Sequence, residues 1–220
     1  MSELGELALE VKSAGNDVEL AKLKLKELLN VKCIPQRTCL LPLDTSVKVK
    51  SVGLNGCTVF NSATRPLRLP IVSEDGREYK IIFKQGDDLR QDQFVLQMIR
   101  IMDHLLKSEG MDLMLTPYNV LPIKHYEEDP KKDYGMLECV LKSKTIQEIK
   151  DNGFSLKQYL LGERDEQKFP TAESWFQFVQ QNFIKSCGEH TFIFFFKQDS
   201  LISEKWIFLH FPKTSKSRKF

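Results

Sequence analysis

The stretch Ile81-Ile82-Phe83-Lys84-Gln85-Gly86-Asp87-Asp88-Leu89-Arg90-Gln91-Asp92 decides how the rest of the chain is read. Three apolar residues look like the end of a buried strand, and a lysine follows at once. Gly86 has access to backbone angles that other residues avoid, which predicts a turn there. Asp87 and Asp88 then stand where a helix begins, either one able to cap its exposed amides and favoured by the helix dipole. A lysine held at a strand end, opposite an acid-rich first helical turn, suits a phosphate. It equally suits a plain strand-to-helix turn, so the surrounding residues have to decide.

Downstream, the pattern predicts a helix from Asp88 to about Lys107. Val95, Met98, Ile99, Met102, Leu105 and Leu106 fall on one stripe at helical spacing with Phe94 at its edge, while Arg100, His104 and Lys107 lie opposite. His104 reads as a solvated surface histidine. Gln91 and Asp92 project onto or beside the apolar stripe, where a carboxylate needs a partner, and Lys84 is the nearest cation in sequence.

Upstream, Val47, Val49 and Val52 predict one strand, and Cys57 to Phe60 another after a Leu54-Asn55-Gly56 turn. Leu67 to Val72 is a third strand, whose Pro70 marks it as an edge or a short piece. Ser73-Glu74-Asp75-Gly76 is a turn, and Glu78 to Lys84 returns as a fourth strand. Together these make an antiparallel meander. Two further strand-like pieces, Leu113 to Leu121 (broken at Pro117) and Gly135 to Leu141, flank a charged loop from Lys124 to Asp133.

At the N-terminal end, Asp17 caps a helix through Leu29, and Cys33 to Leu43, with Pro35 and Pro42, reads as a connector without regular structure. Helices are predicted at Thr145 to Lys150, Leu156 to Leu161 and Ala172 to Cys187. The last carries Trp175, Phe176, Val179, Phe183 and Ile184 on one face.

Composition sets outer bounds. The 220 residues are 41% hydrophobic and 28% charged, ordinary for a globular protein with a core of its own. A net charge of +2 argues neither for nor against nucleic acid, since a basic footprint would be local, and no nucleic-acid partner is expected. Cys33, Cys39, Cys57, Cys139 and Cys187 are scattered and odd in number, which points to a reducing compartment and away from a zinc site or disulfide framework. With no signal pattern and no apolar run of bilayer length, a cytoplasmic protein is expected.

A phosphate-binding role for Lys84 needs a second wall. The run Phe60-Asn61-Ser62-Ala63-Thr64-Arg65-Pro66 contains no glycine, yet its small residues let backbone amides and a hydroxyl approach a phosphate. The combination is more specific than its parts. Phe83 to Asp92 resembles the N-lobe signature of the phosphatidylinositol 3-kinases, and Asn61 to Leu67 resembles their phosphate loop. Gln97 to Asp103 is similar to the helix that follows, Leu115 to Tyr118 to the strand behind the adenine, and Glu138-Cys139-Val140 to the hinge. The likeness runs from about Leu41 to Leu161 and fades into Asn182 to Cys187. Gln93 and the Leu41-Pro42-Leu43-Asp44 entry look most like class III, the kinases that act on unsubstituted phosphatidylinositol.

The resemblance implies an α+β fold: a protein-kinase-like N-lobe of antiparallel sheet plus one main helix, then a partial helical C-lobe. The expected divisions are an N-terminal helix and connector at 1–40, an N-lobe with hinge at 41–141, a partial C-lobe at 142–187 and a divergent tail at 188–220. It implies that Lys84 contacts ATP phosphate oxygens and Ser62 meets the terminal phosphates. Asp92, near Lys84, and Tyr118 would line a polar pocket behind the adenine. The backbone of Glu138 and Val140 would bond the adenine edge, with Ile82 and Cys139 among the apolar walls. ATP, with Mg²⁺ in the parent family, is the implied cofactor. Phosphatidylinositol at an endosomal membrane surface and a regulatory subunit of the full kinase are the implied partners.

The family's Asp-Arg-His-x-x-Asn loop and Asp-Phe-Gly motif do not occur in these 220 residues: Glu163-Arg164-Asp165 has no His or Asn after it, and Asp151-Asn152-Gly153-Phe154 is in the wrong order. No catalytic residue and no magnesium ligand is therefore assigned. The expectation is a chain truncated before those loops and inactive alone, because phosphoryl transfer needs both sets of groups. Likeness stops at Cys187. The phenylalanine-rich tail that follows, with Phe192 and Phe194 to Phe196, reads as retained intron or a wrong gene model. Two alternatives stay open: a truncated isoform acting as a nucleotide- or partner-binding module, and an unstable misspliced product.

Overall fold

The computed structural model describes residues 2–15, 17–32, 38–124, 133–140, 143 and 146–182. They form two compact units, one made of Met1–Met98 with Pro117–Leu141, the other of Ile99–Thr116 with Lys142–Phe220. The expected connector residues 33–37, most of the charged loop (125–132) and the tail after 182 lie outside the described residues.

The first unit opens with two helices, α1 (Ser2–Lys12) and α2 (Val18–Val31). Asp17 caps α2 as its sequence position predicts: its carboxylate accepts from the Glu19 and Leu20 amides at 2.9 and 3.1 Å. Seven strands follow among the described residues: β1 (Cys39–Leu41), β2 (Asp44–Val52), β3 (Thr58–Val59), β4 (Leu67–Ser73), β5 (Glu78–Gln85), β6 (Val120–Ile123) and β7 (Tyr134–Glu138). They build one antiparallel sheet in the order β1-β2-β4-β5-β7-β6, with β3 on β4. The fold is α+β.

Period-2 alternation gives the two sheet faces different neighbours. Val47, Val49, Leu67, Leu69, Ile71, Ile81, Phe83 and Met136 form one core with Leu4, Leu7 and Val11 of α1 and Ala21, Leu25 and Leu29 of α2. Each leucine withdrawn from water there contributes on the order of 1.5–3 kcal/mol. Ile82 and Leu137 face the other way.

Four expectations need correction. Cys39–Leu41 is a short strand between the two prolines of the predicted connector, paired with β2. Leu67 to Val72 is no edge: β4 is flanked by β5 on one side and by β2 and β3 on the other. Pro70 is tolerated because a strand residue's N–H and C=O point to the same side. On that side it faces the gap between β3, which stops at Arg68, and β2, which starts at Ile71; there the Pro70 carbonyl accepts from the Gly53 amide at 2.8 Å. Of Leu113 to Leu121 only the end is a strand, since β6 begins at Val120.

The fourth correction concerns α3 (Arg90–Ser108), which carries the chain from the first unit into the second. Its buried residues are Leu96 and Ile99, whereas Phe94, Met98, Ile101 and Leu105 are exposed. The predicted stripe is only partly core, because periodicity marks an apolar face without saying what covers it.

In the second unit, α4 (Ile146–Asp151) precedes α5 (Leu156–Gly162), whose start is a capping box between Ser155 and Gln158. Residues 172–182 are helical. Trp175, buried among them, donates from its indole nitrogen to the Leu160 carbonyl at 2.6 Å and packs with Phe169 and Phe178. Phe183 and Ile184 of the predicted apolar face lie outside the described residues.

Candidate functional site

The site face of the sheet is built from a cross-strand row. Thr58 pairs with Arg68, Arg68 with Ile82, Ile82 with Leu137, and Leu137 with Val120. Directly paired residues share a face. Ile82, Leu137 and Leu89 form a buried apolar cluster, with Phe60, Tyr118, Val120 and Cys139 packed against it. Lys84 lies two positions beyond Ile82 on β5 and so on the same face.

The turn after Lys84 follows the reading of its residues. Gly86 has φ +77°, and its amide donates to the Asp133 carbonyl at 2.7 Å. That reversal brings Asp87 back onto Lys84, with Nζ 2.9 Å from Oδ2. The carboxylate ion-paired to Lys84 is thus Asp87, where sequence proximity had put Asp92. Asp88 takes the capping role: its Oδ1 accepts from the Arg90 amide at 3.0 Å. Hydrogen bonds from the Arg90 side chain hold the Asp88 carboxyl down at about 2.

Asp92 is half-buried near Tyr118, whose hydroxyl is pushed up to about 12 by burial and, second, by the Asp92 charge. Both belong to the first unit, as does every site residue predicted from sequence. Ser62 is exposed in the loop between β3 and β4. That loop is pre-formed: Phe60 N–H donates to Pro66 O at 2.9 Å, Ser62 N–H to Phe60 O at 3.0 Å, and Arg65 N–H to Ser62 O at 3.1 Å. Arg65 closes it at φ +48°, a conformation that a non-glycine residue rarely takes. The pairing of Leu67 with Phe83 makes the last loop residue, Pro66, level with Lys84 one step further along both strands.

At the far end of the face, Glu138 and Asn119 hold each other: Glu138 N–H donates to Asn119 O at 2.8 Å, and Asn119 N–H to the Glu138 side chain at 3.0 Å. Cys139 N–H donates to Lys80 O at 2.9 Å, and half-buried Val140 follows. The structure therefore places Ile82, Tyr118 and Cys139 in one apolar cluster, Lys84 beyond it on the same strand, Ser62 on the adjoining loop, and Glu138 and Val140 at the end of β7. Sequence reading missed Leu89, Leu137, Phe60 and Val120 as wall residues. Leu137 was accessible from the alternation of β7; Leu89, a single apolar residue among charges, was not.

An apolar cluster with a lysine beyond it on the same strand face and a loop of short side chains alongside has the chemistry to meet a flat heteroaromatic ring carrying phosphates. Among the described residues no three His, Cys, Asp or Glu side chains converge into a group that could hold a metal ion. Also among the described residues, no helix is long and apolar enough to cross a membrane.

A twisted antiparallel sheet backed by helices, with Lys84 at the end of β5 and α3 after it, is the architecture of a kinase-like N-lobe. Residues 78–160 match the family described as phosphatidylinositol 3- and 4-kinase. It is 41% identical over 157 residues to the phosphatidylinositol 3-kinase VPS34 of Arabidopsis thaliana, covering 69% of this chain and 18% of that protein. Against VPS34 of Candida glabrata the identity is 33% over 188 residues, covering 84% of this chain and 20% of the relative. Over a shorter 81 residues it is 54% identical to the phosphatidylinositol 3-kinase pik3 of Schizosaccharomyces pombe, 37% of this chain and 10% of that one. The chain thus spans between a tenth and a fifth of the length of these relatives.

Proposed function

We propose that this chain supplies the ATP-binding half of a class III phosphatidylinositol 3-kinase, an enzyme type that moves the ATP γ-phosphate to the 3-hydroxyl of phosphatidylinositol. The observation that carries this reading is the continuity of one sheet face: an apolar row through Ile82 and Leu137, then Lys84, then the Ser62 loop level with it. On this reading Ile82 and Cys139 hold the adenine between apolar surfaces, and the Glu138–Val140 backbone meets its edge. Lys84 leaves Asp87 for the phosphates, and Ser62 with its neighbouring amides receives the terminal phosphate. Asp92 and Tyr118 form the polar back of the pocket. Substrate lipid, a peripheral endosomal membrane location and a regulatory subunit come with this reading from the family.

A polypeptide of these 220 residues is proposed to bind ATP without turning it over. Neither an Asp-Arg-His-x-x-Asn nor an Asp-Phe-Gly motif is present to orient the attacking hydroxyl or to hold magnesium. Its domain plan is a nucleotide lobe at 41–141 with a partial helical lobe after it. Calorimetry with ATP tests binding, with Lys84→Met expected to abolish it. A phosphatidylinositol kinase assay tests turnover, and robust Lys84-dependent product would overturn the proposal. Folded protein that binds no ATP would support the reading as a partner-binding module instead.

A further inference from the structure

We propose that Lys12 is a positioning residue for Lys84, its amine holding the end of β5 from the helix side of the sheet; this rests on the ATP reading of the opposite face. Lys12 lies far along the chain from the residues that resemblance to the family singled out, and α1 lies outside the matched segment 78–160. The contact is specific. Lys12 Nζ donates to the backbone carbonyl of Gln85 at 3.0 Å, across 73 positions of sequence. Leu4, Leu7, Ala8 and Val11 seat α1 in the core shared with Ile81 and Phe83. Gln85 continues that alternation and is buried, so it is met from the helix side while Lys84, its neighbour, points the other way.

What Lys12 grips is one end of a single peptide plane. The Gln85 carbonyl and the Gly86 amide belong to the same planar unit. Its amide end donates to the Asp133 carbonyl at 2.7 Å and its oxygen end accepts from Lys12, so the plane is tied at both ends. Rotating that plane would change the Gly86 φ, which stands at +77°, and would break both bonds. With the plane fixed, the last pair of the β5–β7 ladder, Gln85 with Tyr134, stays closed. Lys84, opposite Gly135, then lies inside the ladder rather than at a fraying end. Its charge rides on a flexible four-carbon stem, so the position of its Cα sets where that charge can reach. Burial lowers the Lys12 pKa, as it does for an amine withdrawn from water, and a hydrogen bond shielded from water is electrostatically stronger than an exposed one. The same amine belongs to the last turn of α1, where a cation suits the helix dipole.

The test measures affinity of the full chain for ATP and adenosine in wild type, Lys12→Met, Lys12→Arg and Lys84→Met, with amide hydrogen exchange followed by NMR. Lys12→Met keeps most of the stem and removes the donor. It is expected to weaken ATP about 3- to 30-fold, in the range of coupling within one hydrogen-bond network, and to spare adenosine. That is the pattern expected of Lys84→Met in milder form. Exchange at the Gly86 amide should quicken by a similar factor, while amides in the middle of β5 stay unchanged. Lys12→Arg, which keeps a charged donor, should recover most of the ATP affinity and of the Gly86 protection. Equal losses for ATP and adenosine in Lys12→Met would overturn the positioning role in favour of general support of the fold. An ATP change below twofold would overturn it outright. So would a loss of ATP with Gly86 exchange unaltered, which would point to the Lys12 charge itself meeting the phosphates. Wild type that binds neither ATP nor adenosine would instead remove the ATP reading, and this proposal with it. Should Lys12→Met fail to fold, Lys12→Gln, one bond shorter and out of reach of the carbonyl, takes its place with the same expectations.

Discussion

Gly135 and Leu89 occupy the same space. A Cβ on Gly135 would lie 2.6 Å from Leu89 Cδ1 and 2.7 Å from the Leu121 carbonyl oxygen. Gly135 is also the residue directly opposite Lys84 across β5 and β7. The missing side chain lets Leu89 press onto the sheet, and Leu89 immediately precedes α3. The packing that sets the start of α3 thus touches the strand position facing the site lysine.

Gly135→Ala should therefore destabilise the protein by about 1–3 kcal/mol, the usual cost of overpacking a close-packed contact. Urea denaturation followed by circular dichroism measures it. An unchanged midpoint would show that Leu89 can move aside, and that the contact does not constrain the turn.

The Lys84–Asp87 pair is partly exposed, with side-chain accessibilities of 22% and 37%. Such a pair contributes on the order of 0–1 kcal/mol after screening. Asp87→Asn is expected to leave stability nearly unchanged and ATP affinity equal or higher, because the lysine then has no competing carboxylate. A tenfold loss of ATP affinity in calorimetry would assign Asp87 a part in binding.

Tyr118 holds its proton to about 12 rather than 10, chiefly because it is buried and secondarily because Asp92 is near. Between those values the unfolded chain has lost the proton and the folded chain keeps it, so stability falls as pH rises through the window. The loss is on the order of 2 kcal/mol, complete above the folded value and absent below pH 10. Tyr79, also raised to about 12, acts in the same direction, led by burial and then by the charge of Glu138. Tyr118→Phe should flatten the decline of the urea midpoint between pH 10 and 12 by about one proton. Parallel wild-type and variant curves would contradict the assignment.

Trp175 serves the end of α5 in the second unit. The Glu163 amide goes to the Tyr159 and Leu161 carbonyls and that of Arg164 to Leu161, while the Leu160 carbonyl takes the indole N–H. Trp175→Phe should cost about 1–3 kcal/mol, from a buried acceptor left without this donor and from lost volume. Thermal unfolding by circular dichroism reads the change, and a shift within error would make the indole bond dispensable.

What was legible in the sequence followed from local chemistry. Asp17 capped its helix, Gly86 took the left-handed turn and Asp88 bonded the first amide of α3, because each interaction spans only a few residues. The ends of Leu113 to Leu121 were harder to read, since a strand exists only where a partner supplies its hydrogen bonds. The same reason misplaced Pro70: whether a proline is tolerated depends on which neighbour faces its missing N–H, and that is a property of the assembled sheet.

The residues from Ile81 to Asp92 by themselves determined a strand, a turn and a helix with a lysine at the junction, through backbone preferences and capping that need no distant partner. Only the tertiary structure decided which carboxylate answers that lysine and which residues share its face. Gly86 folds Asp87 back onto Lys84, and register sets Arg68 beside Ile82. Both outcomes depend on backbone geometry and on strand pairing between residues far apart in the chain, which spacing along the chain does not encode.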